Sequence, residues 1–273
     1  MQSSNQRCSI CLKRKTLTDE HIFPRGLSVP GTRQIRELIP KIDPDKRYRK
    51  PTRLSQNGLK LKTTCSKCNN DLLGMKYDPA LKRLYDETSL FVRNAHMIPG
   101  RFFRIDKIEL NKAARAVVGH MLAADMPPNA KAYKTREMRR FFFDPTYLMP
   151  DEYSILMWLY PSREQAIIRD ILVADNFGSG SAETLWISAY KTFPLAFAVA
   201  QRETEAGWPY KGMLDISKFL TNSIDDTFNI TFPWRDIPHQ MWPEAPRSNG
   251  AILMGEGQRL LTKPHKPNTT YQH

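Results

Sequence analysis

The sequence predicts an α+β fold, and three observations carry that expectation. All four cysteines fall in two Cys-x-x-Cys pairs near the N-terminus, Cys8/Cys11 and Cys65/Cys68. A single apolar stripe of helical period runs through residues 108–124, made of Leu110, Ala113, Ala114, Val117, Val118, Met121 and Leu122. Beyond Pro150 the chain turns to short runs rich in Ile, Leu, Val, Trp and Tyr, the composition of strands. The expected order is therefore an N-terminal core stapled by cysteines, a helical segment, and an antiparallel β-meander with one face under the helices.

A Cys-x-x-Cys turn aims two thiolates at one point, and two such turns complete a four-thiolate zinc site. Two disulfides or a redox pair are the alternatives. No apolar run in residues 1–7 suggests a secretory segment, and a reducing cytoplasm disfavours structural disulfides. A redox pair has no need of a duplicate. Four thiolates leave no open position for water, so the zinc is expected to be structural.

Between the clips lies Asp19-Glu20-His21-Ile22-Phe23-Pro24. An imidazole near its ordinary pKa can take a proton from water, and a carboxylate can hold a magnesium-type ion. Neighbouring strand residues point to opposite faces, so Glu20 and His21 need a bend to converge, which Pro24 and Gly26 are read as supplying. Taken alone, His21 reads more simply as a structural or surface histidine.

Residues 27–56 form a long insert in which four prolines prevent a long helix, with a short helix expected at 33–39. A helix is expected to begin at 68–74 and a second to run over 79–94, with Asp78 as a cap before Pro79. Ile98-Pro99-Gly100 breaks the chain. The division that follows is residues 1–98 as the functional core, 99–235 as an α+β accessory region and 236–273 as a proline-rich tail that wraps loosely or is disordered. Helices are expected at 108–124 and 131–142, and strands at 153–160, 166–174, 184–190, 194–200 and 228–232, with a helical piece at 213–220. His120 falls beside the apolar stripe and reads as a packed or exposed helix histidine.

The formal charge is +13. Residues 1–100 hold 20 Lys/Arg against 9 Asp/Glu, and the remainder 21 against 19, so the excess sits on the stapled third. That favours a polyanionic partner there. Lys13, Arg14 and Lys15 beside the first clip, Arg25 after the Glu-His pair, and Arg47, Arg49, Lys50 and Arg53 in the insert are the expected phosphate contacts. A merely solvated charged face is the plainer alternative. No run approaches membrane-spanning length, and a soluble cytoplasmic protein is expected.

The constellation Cys-x-x-Cys, Glu20-His21-Ile-Phe-Pro, Cys-x-x-Cys-Asn69-Asn70 and Gly74 resembles the zinc-containing HNH endonucleases over roughly residues 5–90. The resemblance implies a ββα-metal core with Cys8, Cys11, Cys65 and Cys68 on structural Zn2+. It implies His21 as general base and Glu20 as ligand of a catalytic Mg2+ or Mn2+. Asn69 stands where the family often has a histidine ligand, and Asn70 is its alternative. Asn57 would be the family's base-orienting asparagine, although Asn57-Gly58 reads equally well as a hairpin turn. DNA ahead of RNA rests on the same resemblance. The implied activity is metal-dependent DNA hydrolysis, in restriction, phage defence or a mobile element. The other class left open is a zinc-stapled nucleic-acid-binding regulator that never cuts. Nothing in residues 100–273 names a chemistry; that region is free to dimerise or to bind a partner protein.

Overall fold

A computed structural model describes residues 6–27, 32–37, 53–56, 58–94, 102–125, 133–176, 182–202, 211–233, 235–244, 251–255 and 259–264. It begins with the short strands β1 (Gln6–Arg7), β2 (Arg14–Lys15) and β3 (Leu17–His21), then β4 (Arg33–Glu37), β5 (Arg53–Ser55) and β6 (Lys60–Cys65). A wide helix follows over Lys67–Tyr77 and runs straight into α1 (Asp78–Asn94). Its bonding is of π type: the Asp78 amide donates to the Leu73 carbonyl, five residues back. Next come β7 (Phe102–Ile108), α2 (Leu110–Ala123) and α3 (Tyr133–Phe143). The chain continues with β8 (Tyr153–Leu159), β9 (Gln165–Asn176), β10 (Ala182–Thr192), β11 (Leu195–Arg202) and β12 (Leu214–Asp215). It closes with β13 (Phe228–Pro233), β14 (Ala251–Gly255) and β15 (Arg259–Pro264).

The fold is mixed α and β, with few helices and antiparallel sheets, as the periodicity predicts. Nine strands form one sheet in the order β12-β8-β11-β10-β9-β15-β4-β5, with β14 also paired to β9. β9, β10 and β11 make the expected meander, and β8 returns to pair with β11. One face of these strands carries Ile155, Met157, Ile167, Tyr190, Phe197 and Val199 into the core shared with the helices. The other carries Leu156, Trp158, Ile168, Ile171 and Ala198 into a second cluster closed by Met213 and Trp242. Both faces are thus buried, where only one was expected to be.

Every residue of α2 except Lys112 is buried. Gly119 shows why the helix lies so close to its neighbours. A Cβ there would sit 2.5 Å from a Phe142 ring carbon and 2.6 Å from a Leu73 methyl. A side chain at this position would push α2 off both the wide helix and α3.

Three expectations are corrected. Residues 33–37 are a strand, not a short helix: Arg33 to Glu37 pair with β15 on one side, and Arg33 to Ile35 with β5 on the other. The stretch read as a loose tail supplies β14 and β15, which lie beside β9. The strand at 228–233 pairs with β7, an element the sequence reading missed, and not with the meander. The apolar core itself runs from Cys8 to Ile230 and takes in residues on both sides of the break at 98–100.

Candidate functional site

The first cysteine pair sits on the turn between β1 and β2. The Cys8 amide donates to the Lys13 carbonyl at 3.0 Å, and the Leu12 amide to the Cys8 carbonyl at 2.9 Å. Leu12 adopts a left-handed φ of 61°, which tightens this turn. Cys65 ends β6 and Cys68 opens the wide helix. The four Sγ atoms all lie within 4.8 Å of one another, and none is in a disulfide. Four thiolates on one tetrahedral zinc at about 2.3 Å stand about 3.8 Å apart, so the cluster is close to that geometry. The Cys65 amide also donates to the Cys8 sulfur at 3.4 Å. A hydrogen bond from the Cys68 thiol pushes the Cys8 pKa below its ordinary value, against the opposing effect of burial.

The turn is anchored from behind. Arg139 of α3 donates to the Ser9 and Ile10 carbonyls at 3.0 and 3.1 Å. Ser9 Oγ donates to the Asp125 carbonyl, and Thr63 Oγ1 to the Ala123 carbonyl, just past and at the end of α2. The accessory helices therefore hold the cysteine turn directly.

β3 and β6 pair antiparallel, with a register shift between Thr18 and Asp19. The strand ends on His21, which stands opposite Lys60. Asp19 is exposed, Glu20 buried and His21 half-buried. Outside, the Arg25 Nε donates to His21 Nε2 at 3.0 Å from a single 3-10 turn over Arg25–Leu27. The accepted bond requires an unprotonated Nε2. Burial first, then the charges of Arg25 and Lys60, push the His21 pKa below its ordinary value, with Asp19 opposing. Asn69, near the start of the wide helix, donates its amide nitrogen to Thr18 Oγ1 at 2.9 Å and to the Asp19 carbonyl at 3.2 Å. Asn70 Nδ2 donates back to Ser66 Oγ at 3.1 Å.

Inside, the geometry is different. Glu20 is 3 % exposed, and its Oε1 lies 3.3 Å from His120 Nδ1. The other face of the same imidazole, Nε2, lies 3.0 Å from Asp78 Oδ1. His120 is thus held between two carboxylates, with Tyr190 stacked at 6.0 Å and Phe23 against Tyr190 at 4.9 Å. Burial opposes protonation of His120, but Asp78 and Glu20 outweigh it and lift its pKa to about 10. Burial pushes the Glu20 carboxyl up, and His120 works against it.

The structure does not bring Glu20 and His21 together. Successive strand residues turn to opposite faces, and the turn at residues 24–27 folds Arg25, not Glu20, onto His21. The residues expected to hold a catalytic divalent ion do not fit one as they stand. Magnesium keeps several waters and needs open carboxylate oxygens. Glu20 is enclosed, with His120 Nδ1 3.3 Å from its Oε1. Asn69 is on the β3 side with its nitrogen bonded to the strand, leaving only an amide oxygen.

Lys13, Arg14, Lys15 and Arg25 are exposed. Arg53 begins β5 in the nine-stranded sheet, whereas β3 pairs only with β6 among the described strands. Asn57, Arg47, Arg49 and Lys50 lie outside the described residues. Three residues of the site were missed as such. Lys60 is found only through the β3–β6 register. Asp78 is a charge partner, not merely a cap, and His120 is its buried counterpart. The available signal was a histidine on an apolar stripe, which burial obliges to find a partner.

No family model, curated protein or solved structure matches this chain. No helix among the described residues is long and apolar enough to cross a membrane.

Proposed function

We propose that this chain is a zinc-stapled endonuclease that hydrolyses phosphodiester bonds in DNA, with His21 as general base. The observation that supports it best is the outward-facing His21. Its Nε2 accepts a hydrogen bond, and it sits among Arg25 and Lys60 on the strand next to the cysteine cluster. An unprotonated imidazole beside cationic side chains is suited to take a proton from water while a phosphate docks. The water oxygen would then bond to phosphorus, the P–O3′ bond would break, and the departing oxygen would take up a proton. The resemblance to HNH enzymes implies 5′-phosphate and 3′-hydroxyl ends. It also implies Mg2+ or Mn2+, but with Glu20 turned inward no step is assigned to an ion. Four clustered thiols suit zinc, and their free state fits a reducing compartment.

The test is cleavage of plasmid DNA with and without Mg2+ or Mn2+, run beside His21→Ala. The wild type is expected to cut and the variant to bind DNA without cutting. Equal cutting by both removes His21 as base. Metal analysis is expected to return about one zinc per chain, and its removal to unfold the N-terminal region.

One observation favours the second reading, a non-cutting nucleic-acid-binding regulator. Glu20 is paired with His120 and not with His21. Tight DNA binding with no cleavage under any divalent ion would select it. For the endonuclease reading the biological setting is restriction, phage defence or a mobile element.

A further inference from the structure

We propose that Arg25 masks the His21 base and that an arriving phosphate draws it off, so that phosphodiester binding itself uncovers the catalytic nitrogen. The inference rests on the reading of His21 as base and says how that base is controlled. Its ground is the bond from Arg25 Nε to His21 Nε2 at 3.0 Å. The nitrogen that would accept a proton from water is the one that Arg25 covers. While the bond stands, the Nε2 lone pair is taken up by Arg25.

The arrangement is easy to reverse. Arg25 is exposed, lies four residues from His21 on a one-turn helix, and has no second hydrogen bond or ion pair among the described residues. Its partner is a neutral ring nitrogen. A phosphate oxyanion is a better partner, because charge-assisted bonds are roughly twice as strong as neutral ones and the guanidinium fork can take two oxygens at once. Lys60, opposite His21 in the ladder, adds positive charge at the same spot. A phosphate attracted there would compete with His21 for the Arg25 fork and leave Nε2 facing the docked group.

The test labels His21 directly. Diethyl pyrocarbonate acylates a free, unprotonated imidazole nitrogen, and mass spectrometry of peptides reads His21 apart from the other histidines. The full-length, metal-loaded chain is labelled in chloride and in inorganic phosphate at equal ionic strength, as wild type and as Arg25→Ala. Arg25→Ala is expected to label at His21 about five-fold faster than wild type in chloride, the factor that one ordinary net hydrogen bond represents. Phosphate is expected to speed wild-type labelling towards that of the variant and to leave the variant unchanged. Equal labelling of the two proteins in chloride overturns the mask. So does phosphate that slows wild-type labelling, since the anion would then cover His21 with Arg25 still in place. Labelling needs no DNA cutting. The predicted pattern in a protein that never cleaves would keep the anion-released mask and remove the nuclease reading; cleavage with identical labelling would do the reverse.

Discussion

The two faces of β3 carry two imidazoles in opposite states. On the inner face His120 lies between Glu20 and Asp78, fully buried, with its pKa lifted to about 10. On the outer face His21 is half-buried among Arg25 and Lys60, with its pKa pushed down. The residue type is the same; the neighbours decide. Two carboxylates raise the pKa of the ring that links β3 to α1 and α2, and burial with two basic side chains lowers that of the other. A carboxylate beside a histidine in sequence therefore says little about whether they act together. Here the adjacent pair is split by the strand, and Glu20 serves a histidine that is a hundred positions away.

The comparison is broken most forcefully from the inside. His120→Ala leaves Glu20 and Asp78 facing each other without their cation. Removing one partner of a buried ion pair costs about 3–5 kcal/mol, read as a lower urea midpoint. A loss under about 1 kcal/mol would show that the inner cluster holds nothing together.

A pH series is the next largest effect. His120 has a folded pKa raised above its unfolded value. Its contribution is fully present below the ordinary imidazole pKa near 6.5 and is lost as pH rises towards about 10. The raised Glu20 carboxyl acts in the same direction from lower pH, since the folded state again binds more protons. Stability is expected to fall by a few kcal/mol between pH ~6.5 and ~10, and the fall should vanish in His120→Ala. Cleavage should behave differently. Because the His21 pKa is depressed, activity is expected to rise with pH and level off below the usual imidazole range.

Smaller effects sharpen the outer face. Asn69→Ala removes two part-exposed bonds to β3 and should cost about 1 kcal/mol. His21→Ala should change stability least, by about 0.5 kcal/mol or less, as for most surface substitutions. A large loss there would make His21 a structural residue and not a base.

Local signals were legible in proportion to how local they are. The cysteine pairs, the stripe on α2 and the branched runs of β8 to β11 declare themselves within a few residues. Residues 33–37 do not: Arg-Gln-Ile-Arg-Glu suits a helix, and the partner strands at 53–55 and 259–264 make it extended. β7 alternates weakly and is completed by β13, more than a hundred residues on. The site divides in the same way. His21 and the cysteines stand out by spacing. The Glu20–His120–Asp78 cluster joins three separate elements, and the bond that links Asn69 to β3 spans fifty residues. Such pairings follow from packing, which no window of sequence contains.

The central claim is tested most directly by nitrogen-15 NMR of the imidazole rings in histidine-labelled protein at pH 8. The account predicts that His120 shows two protonated ring nitrogens while His21 is neutral with an unprotonated Nε2. Two neutral rings, or a His21 carrying both protons, would contradict it.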